Sequence, residues 1–208
     1  LPPPRRCPTP MSDRSTTAPL PLFPLRTVLM PGGLLALRVF EPRYLDMVKR
    51  CARRGDGFGV CLIVDGPEVG GPAVPAEIGT EARLVDFTRQ DGGVLGIAVE
   101  GDRRFAVSST STQADGLVMA EVRWLPPVAR SRVLPEHGFL VDLLRRMLER
   151  AGGPHAFADG SSFDDAEWVS FRLAELLPLD ADQRLHLLEE DEPRLRLDAL
   201  LRWLPQLA

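Results

Sequence analysis

The chain has 208 residues, of which 44% are hydrophobic and 26% charged, and its net charge is −4. That size and balance suit one large or two small globular domains with enough interior for a core. The acidic balance argues against a nucleic-acid partner, which calls for a basic excess.

No apolar run approaches the roughly 18 residues of a membrane helix. The N-terminus lacks the basic start, apolar centre and small-residue cleavage site of a secretory signal. No membrane partner is therefore expected, and the cytoplasm is the expected location. The three cysteines, Cys7, Cys51 and Cys61, are an odd count without a CxxC spacing, which predicts neither a disulfide framework nor a zinc site. The one lysine, Lys49, is followed by Arg50, so the Lys-Ser/Thr step of a GxxxxGK[ST] phosphate loop is absent.

In chain order, residues 1–18 read as a disordered tail. Leu1 to Pro10 holds five prolines and Ser12 to Thr17 is polar, a composition that buries too little to offset its ordering entropy. The folded body begins near Leu20, where the prolines of the run to Leu25 favour an edge or loop. Leu34 to Val39 reads as a strand after the Pro31-Gly32-Gly33 turn. Glu41 to Arg54 reads as a helix opened by Pro42, with Tyr44, Met47, Val48 and Cys51 on one buried stripe and Gly55 to Gly57 as its stop. Strands follow at Phe58 to Val64 and Ile78 to Thr88. Two more, Val94 to Val99 and Arg103 to Ser108, flank an expected tight hairpin at Glu100-Gly101-Asp102. A last strand runs from Leu117 to Trp124.

The pattern changes after Pro126-Pro127. Phe139, Leu140, Leu143, Leu144, Met147 and Leu148 have helical spacing. Asp164 or Asp165 caps a helix carrying Trp168, Val169, Leu173 and Leu176. Asp180 with Gln183 has the form of a capping box, and Pro193 opens a final helix with Leu197, Leu200, Leu201 and Leu204 on one face. Strands followed by helices predict an α+β chain: a bent β-barrel with one inserted helix over 19–126, then a C-terminal helical bundle over 127–208.

Few residues suggest chemistry. Gly55-Asp56-Gly57-Phe58-Gly59 has a helix before it and a strand after it, the reverse of a dinucleotide-binding turn. No GxSxG elbow is present. His137, His155 and His186 lie in separate segments without metal-ligand spacing and read as solvated or helix-surface residues. No catalytic residue, metal site or cofactor is predicted. Phe23, Pro24, Met30 and Pro31 form a proline-broken apolar run that either closes one end of the barrel or meets apolar segments of other chains. Phe40-Glu41-Pro42-Arg43-Tyr44 is the sharpest local motif. Arg43 either pairs with Glu41 to fix the helix entry, or Glu41 and Arg43 face a groove and contact a bound polypeptide.

Leu20-Pro21-Leu22-Phe23-Pro24-Leu25, Met30-Pro31-Gly32, Phe40-Glu41-Pro42-Arg43-Tyr44, Phe58-Gly59-Val60, Glu68-Val69-Gly70, Ile78-Gly79-Thr80 and Arg103-Arg104-Phe105 form an ordered series. It resembles the N-terminal, substrate-binding domain of the Lon proteases, and specifically the stand-alone proteins of that type. The resemblance runs from Leu20 onward and is sharpest up to Phe105. It implies a PUA-like barrel followed by helices, and a non-enzymatic module that binds unfolded or partly folded polypeptide, with a protease as a further partner and a role as adaptor or modulator of proteolysis. The ATPase module and Ser-Lys protease of a full Lon enzyme are not expected in the chain, and Lys49 lies inside the substrate-binding resemblance. The alternative expectation is RNA binding, which rests on PUA-like barrels as a fold class.

Overall fold

The computed structural model describes residues 17–71, 73–89, 91–128 and 130–206. Its elements are β1 (Ala18–Leu25), β2 (Leu34–Val39), α1 (Pro42–Arg54), β3 (Phe58–Asp65), β4 (Val74–Arg89), β5 (Leu95–Thr112) and β6 (Val118–Trp124), then α2 (Gly138–Ala151), α3 (Ala166–Leu176), α4 (Ala181–Glu189) and α5 (Pro193–Trp203). The expected tail lies outside the described residues up to Thr16, and Ala18 already belongs to β1.

The strands form one mixed sheet in the order β2-β5-β4-β3-β1-β6. Every pairing is antiparallel except β1 with β3. The 18-residue β5 also pairs with β6, so the sheet curls strongly, helped by register shifts at Thr80/Ala82, Leu84/Asp86 and Val107/Ser109. β2 pairs only with β5 among the described residues and keeps an open edge. The α+β layout is the expected one, but the strands make a curled sheet with a free edge and not a closed barrel.

Two local expectations are corrected. β1, with Pro19, Pro21 and Pro24, is an interior strand between β3 and β6. Its first half, Ala18 to Pro21, pairs with β6, and its second half, Leu22 to Leu25, pairs with β3. Each half has one partner, so alternate positions point away from the ladder and tolerate a residue without an N–H. The expected hairpin at Glu100-Gly101-Asp102 does not exist, because these residues sit inside the continuous β5. Gly101 serves a close approach instead. Its carbonyl accepts from Gly32 N–H at 2.7 Å, its N–H donates to the Gly33 carbonyl at 2.8 Å, and a Cβ there would collide with the Met30 carbonyl.

α1 packs across the curled sheet. Tyr44, Met47, Val48 and Cys51 are its buried residues, as their i, i+3, i+4, i+7 spacing predicts. They meet Phe23, Phe58, Val60, Ile97 and Val99, and burying Met47 contributes about 2 kcal/mol. Gly55 stops the helix in the left-handed conformation with φ of 72°.

The later helices start where their caps predict. Asp165 accepts from the Glu167 N–H, and Asp180 with Gln183 completes a full capping box. Leu140, Leu144, Leu148, Val169, Leu173, Leu187, Leu197 and Leu200 form the helical core, and Met30, from the segment between β1 and β2, is buried in it at 1% exposure. Buried arginines fasten helices to sheet. Arg104 of β5 donates to the Leu188 carbonyl and to Asp191 Oδ1, both at 2.7 Å. Within the bundle, Arg196 of α5 lies over the Phe171 ring of α3, 4.0 Å from its centroid. His137, expected at the surface, is buried with Nε2 2.8 Å from Asp198 Oδ1.

Candidate functional site

Among the described residues, the β2 edge leaves backbone N–H and C=O groups of Leu34–Val39 without a strand partner on one side. Beside it lies a groove of about 280 Å³ whose walls include Phe23, Leu25, Leu37, Phe40, Tyr44 and Val69. β1 supplies the floor, β2 one wall, and the segment between β3 and β4 the other. Arg26 ties that segment in place, donating through Nη2 to the Gly66 carbonyl at 3.1 Å. Within its lining, Phe40 and Val69 are each about half exposed. Scattered apolar residues on a surface mean little, but two exposed ones in a mostly apolar groove next to an open strand edge make an apolar ledge.

The sequence-derived candidates separate. Phe23 lies in the groove floor, 7% exposed and stacked on Tyr44 with ring centroids 4.2 Å apart. Pro24 is buried in β1. Met30 is held in the helical core, and Pro31 is half-buried with its carbonyl accepting from Arg172 Nη2 at 2.6 Å. Of the two alternatives for Phe23, Pro24, Met30 and Pro31, an exposed apolar run is not what these positions form, because the curl of the sheet and the docking of α3 leave them largely interior.

Glu41 and Arg43 form an ion pair at 2.8 Å, and Arg43 Nη1 donates to the Gly116 carbonyl at 2.9 Å. Arg43 also lies 4.7 Å from the Tyr44 ring centroid. This arrangement clamps the start of α1 to the turn between β5 and β6, the structural alternative of the two foreseen. Glu41 lines the groove as well. Burial raises the Tyr44 hydroxyl pKa, with Arg43 opposing it.

Phe40 and Val69 were legible only as parts of motifs, and their exposure beside β2 follows from the tertiary arrangement. The buried thiols have little nucleophilic character. Burial pushes Cys61 up to about 12, and burial, then Asp56, raises Cys51. Among the described residues, no three His, Cys, Asp or Glu side chains converge as metal ligands, and no helix is long and apolar enough to cross a membrane.

A curled mixed sheet with one helix between β2 and β3, followed by a helical bundle, defines an α+β module of the Lon N-terminal type. The family model for the ATP-dependent protease La (LON) substrate-binding domain matches residues 19–206, and the chain belongs to that family. A crystal structure of a Lon N-terminal domain protein from Xanthomonas campestris superposes with a TM-score of 0.76 at 48% identity, covering 89% of this chain and 98% of that one. The N-terminal domain of a Mycobacterium avium complex Lon protease shares the fold, with a TM-score of 0.63 at 17% identity over 89% of this chain and 97% of that one. The protein cereblon of Danio rerio is 30% identical over 141 residues, 66% of this chain and 31% of the relative. That of Xenopus tropicalis is 31% identical over 129 residues, 60% of this chain and 27% of the relative. The chain thus spans about a third or less of the length of these curated relatives.

Proposed function

We propose that this substrate-binding module holds extended apolar segments of unfolded or partly folded polypeptides along the free edge of β2, without catalysing a reaction on them. A bound segment adds a strand to the sheet through main-chain hydrogen bonds. Every second side chain then drops toward the groove between Phe40 and Val69. Main-chain pairing tolerates many sequences, and an apolar groove selects chains whose hydrophobic residues are not yet buried. In this reading the module works as an adaptor or modulator of proteolysis, presenting its client to a protease, and needs no cofactor.

The observation that carries the reading is the juxtaposition of an unpaired strand edge with a groove flanked by half-exposed Phe40 and Val69. Family membership supports the substrate-binding part. The test is binding of a reduced, carboxymethylated protein followed by amide hydrogen exchange. Binding is expected to protect Leu34–Val39, and Phe40→Asp with Val69→Asp is expected to weaken it by about tenfold or more. A client that binds while the β2 amides exchange unchanged removes the edge from the account. Failure of the folded protein to bind any unfolded chain removes the reading altogether.

A further inference from the structure

We propose a second binding site, for a small organic phosphate, in the cleft between the C-terminal half of α1 and the β1/β6 end of the sheet. The cleft has a volume of about 480 Å³, and its lining shares no residue with the β2 groove. That size lies within the roughly 300–1,000 Å³ of small-molecule sites.

Its floor is a buried carboxylate. The Glu81 side chain is 5% exposed and receives Arg103 Nε at 2.8 Å and Arg83 Nη2 at 3.1 Å. Arg83 is fully engaged, since its Nε meets Asp102 Oδ2 at 3.1 Å and its Nη1 donates to the Gly55 carbonyl at 3.2 Å. Arg103 is not. Its Cζ lies over the Trp124 ring, 3.6 Å from the centroid, and both Nη groups lack hydrogen-bond partners among the described residues. Glu81 and Trp124 therefore hold the guanidinium in place and leave its Nη groups free.

Arg50 and Arg54 line the same cleft from α1. They stand one helical turn apart, a like-charge spacing that costs a few tenths of a kcal/mol in a helix. Neither forms an ion pair or side-chain hydrogen bond with a described residue. Arg54 complements the negative end of α1, but Arg50, a turn earlier, has no such role. Three guanidinium groups with free donors thus meet in one cleft of a chain whose net charge is −4. Their planar forks match the paired oxygens of a phosphate.

The remaining lining describes the rest of the ligand. Pro19, Leu20, Pro21 and Met119 offer an apolar wall, and the exposed Asp56 carboxylate accepts a hydroxyl or amino hydrogen. Asp56 in the lining and Asp102, paired with Arg83, oppose an extended polyanion, so the site favours a compact phosphate ester over a nucleic-acid backbone.

Calorimetric titration of the whole chain with AMP, pyrophosphate and inorganic phosphate, with tryptophan fluorescence reporting on Trp124, tests this. Saturable one-to-one binding of AMP, tighter than that of pyrophosphate or inorganic phosphate, is expected. Arg50→Gln and Arg54→Gln, both at exposed positions, should each weaken it about tenfold. The same variants should leave binding of the unfolded protein at β2 unchanged, which separates this site from the polypeptide reading. No binding up to about 10 mM overturns the proposal, as does binding that both variants leave intact. Binding of a short single-stranded RNA that AMP does not displace also overturns it, in favour of a nucleic-acid surface.

Discussion

Arg172 of α3 donates through Nη1 to the carbonyl of Gly32, in the turn between β1 and β2, at 2.7 Å. Its Nη2 reaches the Pro31 carbonyl at 2.6 Å, and the Glu175 carboxylate lies 3.0 Å from Nη1. One buried guanidinium therefore satisfies the backbone of a sheet turn from the helical side of the molecule. The same turn carries Met30 into the helical core, so the polar and apolar fastenings coincide.

Replacing Arg172 with Met is expected to destabilise the protein by about 3 kcal/mol, because it strands two half-buried carbonyls and the Glu175 carboxyl together. Urea denaturation measures the loss. Hydrogen exchange should show it first at Gly32, Gly33 and the first residues of β2. Arg172→Lys should recover little, since one ammonium cannot reproduce the fork that spans both carbonyls.

Glu175 gives the protein an unusual pH dependence. Burial outweighs the nearby Arg172 and Arg184 and raises its carboxyl from 4.5 to about 7. Between those values the native state keeps a proton that the unfolded chain has released, so the group's contribution to stability falls as pH rises through the window. His155, lowered by burial and then by Arg172, acts in the opposite sense, since its contribution falls as pH drops below its unfolded value of 6.5. The difference between wild-type and Glu175→Gln denaturation midpoints isolates the carboxyl. The wild type is expected to lose stability relative to the variant from pH 4.5 to 7 and to run parallel to it outside that range. A flat difference curve would show that Glu175 titrates as it does in the unfolded chain.

Gly101→Ala should cost about 2 kcal/mol, comparable to overpacking a core, although the position lies in an extended strand that alanine ordinarily suits. The added methyl meets the Met30 carbonyl and pushes β5 off the Gly32–Gly33 turn. Thermal unfolding of the variant measures this. Gly55→Ala is a useful contrast: nothing surrounds its Cβ position, so the cost there comes from the left-handed backbone alone.

Much of the local structure was legible. α1 occupies its expected span because Pro42, the Tyr44-Met47-Val48-Cys51 stripe and Gly55 all act within a few residues. The capping pair Asp180–Gln183 was legible for the same reason. The hairpin assigned to Glu100-Gly101-Asp102 failed because a glycine between two apolar runs has the same local pattern whether the chain turns or lets another strand approach. The candidate site fared similarly. Phe23 and Met30 read as a run that either closes the barrel or meets other chains, and the partners that bury them, Tyr44 and the leucines of the helical bundle, are distant in the chain.

Caps, stripes and turn residues thus set which segments became helix or strand, since hydrogen bonds and side-chain neighbours within about four residues govern those choices. Strand order, the open side of β2 and the gathering of Arg50, Arg54 and Arg103 along one cleft arose only on folding. They depend on contacts such as Arg104 with Leu188, 84 residues apart, and Arg172 with Pro31, 141 apart. Such contacts join groups that no local spacing relates, and they form only when burial of a shared core brings sheet and helices together.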